Sequence, residues 1–419
     1  MNVYLILILT ILFGEYILNL IVDNLNLRHA AADLPQEFAG FYDREKYNLS
    51  QRYLKETTRF RLNKEGWFTF LFVSFILIGG FNFVDQLARG LNRNYILTGL
   101  IFAGILMLSV QIFNIPFSYY RTFVIEEKYG FNRTSLKTFI LDILKSWSIG
   151  AIIAGLTFSC ILWFFAHTGE WAWVYCWLAL ILFQIFLLFI APVVIMPWFN
   201  KFIPLEQGEL KTAIERYAAQ EDFKLKGIFK MDASRRTSKS NAFFTGLGKY
   251  KRIALFDTLI TTQTVDELVS VLAHEIGHYK KRHILKNILL SVLTTGIMFY
   301  ILSLLINNPG LFAAFGMEST SIYASLFFFA ILYTPLNMIV AIFANYLSRK
   351  HEYQADGFSV STYKRPEAFI KALKKLSVDN LSNLTPHPVK VFFDYSHPPV
   401  LKRIQAIRDI EGSRRRFKD

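Results

Sequence analysis

Apolar residues fall in seven long blocks along the chain, at about 3–22, 67–84, 95–114, 147–166, 173–196, 285–306 and 322–347. Each is near the length a helix needs to cross a bilayer. The polar segments between them are of two kinds. Those at 85–94, 167–172 and 307–321 are short, and those at 23–66, 115–146, 197–284 and 348–419 are long. With seven crossings, the short segments and the N-terminus share one side and the long segments share the other. Inside 197–284 the pattern changes: a helix is expected near 206–220, then short β-like runs at about 227–232, 240–245 and 251–256. Turns are expected at Thr245-Gly246 and Gly248. The next segment, 264–283, is helical, with Val265, Leu268, Val269, Leu272 and Ile276 as its apolar stripe. Thr264 and Glu267 are spaced as a capping box at its start.

Composition and charge agree with a membrane chain. Of 419 residues, 53% are hydrophobic and 16% aromatic, and the formal net charge is +14. The charge is one-sided. The short segments hold only Arg89 and Arg93, whereas the long ones carry nearly all the other Lys and Arg. The positive-inside rule makes the long side cytoplasmic and puts the N-terminus outside. Basic loops beside anionic lipid also account for the net charge without nucleic acid. The first block has neither a basic leader nor a small-residue cleavage site, so it reads as a span; it carries Glu15 in mid-span. Cys160 and Cys176 both lie in apolar blocks and offer neither a disulfide framework nor a zinc motif. The fold class expected is a mainly α, polytopic membrane protein with seven transmembrane helices and a small cytoplasmic α+β, zincin-like unit. Its parts are 1–196 with spans one to five, 197–284 with the strands and the 264–283 helix, 285–347 with spans six and seven, and 348–419 completing the unit.

The chemistry sits in 264–283. His274, Glu275 and His278 form HExxH, in which two imidazoles one helical turn apart can hold one ion. Glu275 beside them can take a proton from a metal-bound water. The apolar stripe lies opposite the two histidines, so the helix can pack by one face and present ligands from the other. Gly277 could let another segment come close to the metal. With no proline between Val265 and Ile306, the helix is expected to run straight into span six; a break at Lys280-Lys281-Arg282-His283 is the alternative. A third ligand is needed. The pattern HExxHxxGxxH fails, because Lys281 stands where glycine is required and His283 is one residue early. Glu352 follows span seven, whose end lies on the same membrane surface as the start of span six. Glu352 and Asp356, four apart on one helical face, suit a ligand and a partner for the other N–H of a ligand histidine. His351 competes with Glu352 but points to a different face from Asp356. One zinc ion per chain is expected.

Taken together, VIEEKYGFN at 124–132, SKSNAFFTG at 238–246, VLAHEIGH at 271–278, HEYQAD at 351–356 and SHPPVLKR at 396–403 resemble the type I CAAX prenyl protease family. These are integral-membrane zinc endopeptidases with HExxH and ExxxD motifs, and the resemblance covers nearly the whole chain. It implies that His397 and Arg403 lie at the active site and steady the oxyanion or the substrate terminus. It also places Asn241 before an edge strand on which an extended peptide could pair, and it implies a chamber among the spans. The implied activity is removal of the last three residues of prenylated CAAX proteins, so the expected partners are a peptide or protein with a lipidated C-terminus and membrane lipid, and no nucleic acid. The related alternative is quality-control cleavage of non-prenylated membrane proteins. A metal-binding transporter or scaffold is the reading from another class. The short outer loops suit a compact bacterial member, so a bacterial cell membrane is expected over the endoplasmic reticulum.

Overall fold

The structure is a computed structural model that describes residues 2–31, 33–92, 94–245 and 252–416. The chain opens on α1 (Val3–His29), capped by the Asn2 side chain. Next come α2 (Arg44–Leu77) and α3 (Gly80–Leu91), which meet at 67°. The bend falls at Gly79, whose φ of +74° is a left-handed conformation that glycine adopts without steric cost. α4 (Tyr95–Tyr120) runs on through a π-helical stretch to Glu126. α5 (Leu136–His167), α6 (Ala172–Ile190) and α7 (Met196–Phe199) complete the first half.

The second half begins with β1 (Phe202–Pro204) and α8 (Glu209–Gln220), then β2 (Gly227–Met231), β3 (Ala242–Thr245) and β4 (Arg252–Phe256). The helices α9 (Asp257–Thr262), α10 (Val265–Lys280), α11 (His283–Leu305) and α12 (Pro309–Ala314) follow. The chain closes with α13 (Ile322–Thr362), α14 (Pro366–Asp379), α15 (Pro388–Asp394) and α16 (Val400–Arg416).

Among the described residues, six helices are long and apolar enough to cross a membrane, or seven if the bent α2–α3 pair is one crossing. That pair holds the expected second span, the fifth runs from α6 through a π-helical stretch (Ala191–Ile195) to the start of α7, and the other five fall in single helices. Arg93 and the glycines of the expected turns at Gly246 and Gly248 lie outside the described residues.

The four strands form one sheet in the order β1-β2-β4-β3. β2 and β4 run parallel, with Gly227 beside Arg252, whereas β1 and β3 are antiparallel to their neighbours. β3 is therefore an edge strand. Expected runs 227–232, 240–245 and 251–256 appear as β2, β3 and β4, each shorter by one or two residues. β1 was not anticipated, since three residues are too few for a periodicity to register.

α10 is held between two cores. Its stripe, Leu268, Val269, Leu272 and Ile276, is buried against Ile214, Ile228, Ile253 and Leu255 of α8 and the sheet. Each such side chain contributes about 1.5–3 kcal/mol on burial. Val271, on another face, joins a core made by Phe369, Ile370, Ile404 and Ile407, together with Phe38 and Ile125 from the segments after α1 and α4. The capping box forms as expected: the Thr264 hydroxyl accepts from the Glu267 N–H, and Glu267 accepts from the Thr264 N–H.

The expected continuity of this helix with span six is not found. α10 ends at Lys280, and Arg282 takes a left-handed φ of +57° before α11 begins at His283. A left-handed non-glycine residue costs about 1–2 kcal/mol. Here the end of α10 is closed by hydrogen bonds from the Lys281 N–H to Gly277 O and from the Arg282 N–H to Tyr279 O, so neither proline nor glycine is needed. α13 does what α10 does not. Its 41 residues extend about 60 Å, twice the roughly 30 Å bilayer core. One unbroken helix therefore carries span seven into the soluble unit, with Glu352 and Asp356 on the projecting end.

Candidate metal centre

α10 supplies His274, Glu275 and His278, and α13 supplies Glu352 and Asp356. The two helices approach closely at Gly277, where an added Cβ would stand 3.1 Å from the Ala355 Cα and 3.1 Å from the Phe358 Cβ. Ala355 lies between Glu352 and Asp356, so the missing side chain lets both carboxylates reach the histidines. The Nε2 atoms of His274 and His278 are 3.1 Å apart. Glu352 Oε2 is 3.5 Å from the first, and Glu352 Oε1 is 3.2 Å from the second. A tetrahedral zinc with bonds of about 2.0–2.1 Å would put its donors roughly 3.3 Å apart, so this trio fits the expected metal. Two further observations agree. Glu352 Oε2 is buried and has no hydrogen-bond partner among the described residues. Burial disfavours charge on His274, yet the carboxylates of Asp356 and Glu352 beside it outweigh that and lift the His274 pKa to about 9. The cluster calls for a positive charge among its carboxylates.

Asp356 Oδ1 accepts from His274 Nδ1 at 2.8 Å, which leaves Nε2 free to face the trio. Asp356 is itself clamped by Arg403 of α16, whose Nε and Nη2 donate to Oδ2 and Oδ1 at 2.9 and 2.6 Å. Arg403 Nη1 reaches Glu352 at 3.5 Å. The guanidinium expected at the oxyanion is thus spent mainly on the carboxylate behind His274. His397, exposed in the turn before α16, places Nε2 3.4 Å from Glu352 Oε1, while its Nδ1 lies 3.0 Å from the Ser396 hydroxyl. Glu275 is half-buried beside the trio. Burial raises its pKa above the ordinary glutamate value, and Glu352 adds to the effect, against the pull of His274, His278 and Arg403. A raised carboxyl suits a group that must take a proton near neutrality and give it up again. Asn241, also exposed, stands just before the edge strand β3, with Oδ1 accepting from the Ala242 N–H. It borders a cleft of about 470 Å³ lined also by Tyr53, Thr57, Ser240, Asn383 and Tyr395.

His351, the competing ligand, is not part of the trio; its ring stacks on His283 with centroids 4.0 Å apart. The sequence reading weighed His283 only as a third ligand, set it aside because it is one residue early, and gave Gln354 no role. His283 Nδ1 lies 3.0 Å from His278 Nδ1, and His283 Nε2 lies 2.9 Å from Gln354 Oε1. No residue spacing announces that contact, since it exists only because α10 breaks. The one available signal was the polar run Lys280–His283 at the point of the break.

Comparison with known proteins gives a consistent picture. Residues 24–201 match the family described as CAAX prenyl protease N-terminal, five membrane helices, and residues 204–411 match Peptidase family M48. The CAAX prenyl protease 1 homolog of rice, Oryza sativa, is 34% identical over 389 residues, covering 91% of each chain. The human CAAX prenyl protease 1 homolog is 30% identical over 90% of this chain and 89% of its own. CAAX prenyl protease 1 of Saccharomyces cerevisiae is 38% identical over 74% of this chain and 71% of its own. The crystal structure of S. mikatae Ste24p superposes with a TM-score of 0.91 at 31% identity, covering 96% of this chain and 99% of that one.

Proposed function

The chain belongs to peptidase family M48 as a multi-pass membrane metalloendopeptidase, and from that premise we propose that it is zinc-dependent and removes the last three residues of prenylated CAAX proteins. The observation that carries the reading is the donor trio His274, His278 and Glu352 with Glu275 beside it. The names of its relatives support the substrate class. Family membership sets aside the non-enzymatic transporter or scaffold.

His274, His278 and Glu352 would hold the zinc, which would supply a Lewis acid for the scissile carbonyl and for the attacking water. The protein does the rest. The substrate lies extended along the open edge of β3, its backbone pairing as an added strand and its terminal residues entering the cleft beside Asn241. Glu275 takes the proton from the attacking water and passes it to the leaving amide nitrogen. His397, exposed and adjustable, donates a hydrogen bond to the developing oxyanion. Asp356 holds His274 by Nδ1–H, and Arg403 holds Asp356.

The protease unit comprises 197–284 and 348–419, interrupted by the two spans of 285–347, with 1–196 as the first five spans. The change of family match at 201–204 supports that division. The long basic segments face the cytoplasm, leaving the N-terminus outside. The relatives named are eukaryotic and lend the expected bacterial membrane no support.

The test uses purified full-length protein, its bound zinc measured, with wild type and Glu275→Ala compared on a farnesylated CAAX peptide. The expected result is one zinc in each and a fall in cleavage of about 10²–10⁴-fold in the variant. Equal cleavage by the two would sink the mechanism. The same peptide without its farnesyl group separates the readings of substrate, since comparable cleavage would favour a quality-control role.

A further inference from the structure

The two histidines of the trio are held from behind in different ways. His274 rests on a carboxylate that is itself paired with an arginine. Among the described residues, His278 has no carboxylate at its far nitrogen. Its Nδ1 faces the Nδ1 of His283 at 3.0 Å, and the opposite nitrogen of His283 faces the side-chain oxygen of Gln354 at 2.9 Å.

Protonation states along this line follow from its two ends. His278 turns Nε2 toward His274 and Glu352. If that nitrogen is to donate electrons to a metal, it carries no proton, so the proton of the neutral ring is on Nδ1. His278 Nδ1–H then donates, and His283 Nδ1 accepts. The proton of neutral His283 is therefore on Nε2, where Gln354 Oε1 is an acceptor at hydrogen-bonding distance. Each atom has one role, and no proton is missing or in excess.

The geometry is also specific to the break in the helix. On an unbroken helix a residue five positions on would be turned about 140° away from His278 and could not face it. The left-handed Arg282 swings the start of α11 back beneath the end of α10. His283 is 1% exposed, and its ring is fixed by stacking on buried His351 at 12° between planes. Gln354 stands on α13 between Glu352 and Asp356, so the same helix that brings the third ligand also anchors the second.

We infer that His283 and Gln354 form a hydrogen-bond relay that fixes the tautomer and orientation of His278 as a metal ligand. Both are positioning residues, and the inference rests on the metal reading of this site. The relay holds His278 without adding charge, whereas His274 is backed by an anion. Second-contact partners of this kind typically contribute about 10–100-fold in metal affinity.

The test is metal binding by the full-length protein in detergent, stripped by a chelator and titrated with zinc against a chromogenic competitor. Cobalt(II) replaces zinc for a ligand-field spectrum. His283→Phe keeps a flat ring to stack on His351 but has no nitrogen; it should bind zinc about 10–100-fold more weakly and shift the cobalt bands. Gln354→Leu removes the final acceptor and should weaken binding in the same direction. Gln354→Glu keeps an acceptor oxygen and should restore near-wild-type affinity. The melting temperature of each metal-free variant checks that it is folded, and the Gln354 pair keeps the test open if His283→Phe is not. His278→Ala is the reference. If it also binds zinc as tightly as wild type, the metal reading itself fails and takes the relay with it. If His278→Ala abolishes tight binding while His283→Phe and Gln354→Leu leave affinity and spectrum unaltered, the relay alone is refuted.

Discussion

Asp356 meets two demands at once: it orients His274 through one oxygen and receives Arg403 through both. It is 1% exposed, so its charge is tolerable only because Arg403 is there. Replacing Arg403 by Leu would leave a buried, unpaired carboxylate and is expected to cost about 3–5 kcal/mol, read as a fall in melting temperature. Arg403→Lys should not rescue it, since an ammonium cannot form the two-pronged contact. The kinetics separate two roles for this residue. If Arg403 acts through Asp356, zinc affinity falls with activity. If it acts mainly on the oxyanion, kcat falls while zinc stays bound. The residue types at the centre were legible from HExxH and the Glu352/Asp356 spacing, because helical periodicity alone fixes which side chains share a face. The partner of Arg403 was not legible, because the contact joins positions 47 residues apart.

Between elements, the distance from α10 to α13 decides whether a third ligand exists at all. Gly277 sets it, with the Ala355 backbone in contact where a side chain would be. Gly277→Ala would favour the helix by about 1 kcal/mol in isolation. It would also push α13 outward by a few tenths of an ångström, carrying Glu352 from the histidines. Melting temperature is expected to change little, while zinc affinity drops on the order of tenfold. An unchanged affinity would mean that α13 moves without Glu352. The sequence offered Gly277 as a point of close approach, and the structure names what approaches it. The same reading preferred a continuous helix and kept the break at Lys280–His283 only as the alternative, since it looked for proline or glycine and the chain turns instead at a left-handed arginine.

Across the whole molecule, the centre ties the protease helices to the last span. Packing alone also joins α10 to α13: Ser359 Oγ donates to Ser270 O at 2.8 Å in a fully buried contact, and Gly277 fits against Ala355. Removal of zinc should therefore loosen the protein without unfolding it. With free zinc at about 1,000 times its Kd, a bound ion would contribute roughly 4 kcal/mol of stability. Chelation should lower the melting temperature accordingly, keep the helical signal, and be reversed by added zinc. Loss of helix on chelation would contradict this, because it would make the metal a requirement for the fold. The protease core also draws in the first half of the chain. Phe38 is fully buried in it, and neighbouring Glu37 accepts hydrogen bonds from both Nη1 and Nη2 of Arg408, at 2.6 and 2.7 Å.

The sequence by itself determined the spans, the amphipathic HExxH helix, the candidate donors and the topological reason that Glu352 must be near HExxH. All of these follow from local periodicity and from counting membrane crossings, which need no knowledge of how helices pack. Only the tertiary structure decided that α10 stops at Lys280 instead of running on into α11, that Arg403 serves Asp356, that His283 turns back to His278, and that segments after α1 and α4 complete the protease core. Those outcomes depend on contacts between residues far apart in the chain, or on one backbone angle at Arg282. Neither leaves a periodic trace in the order of the amino acids.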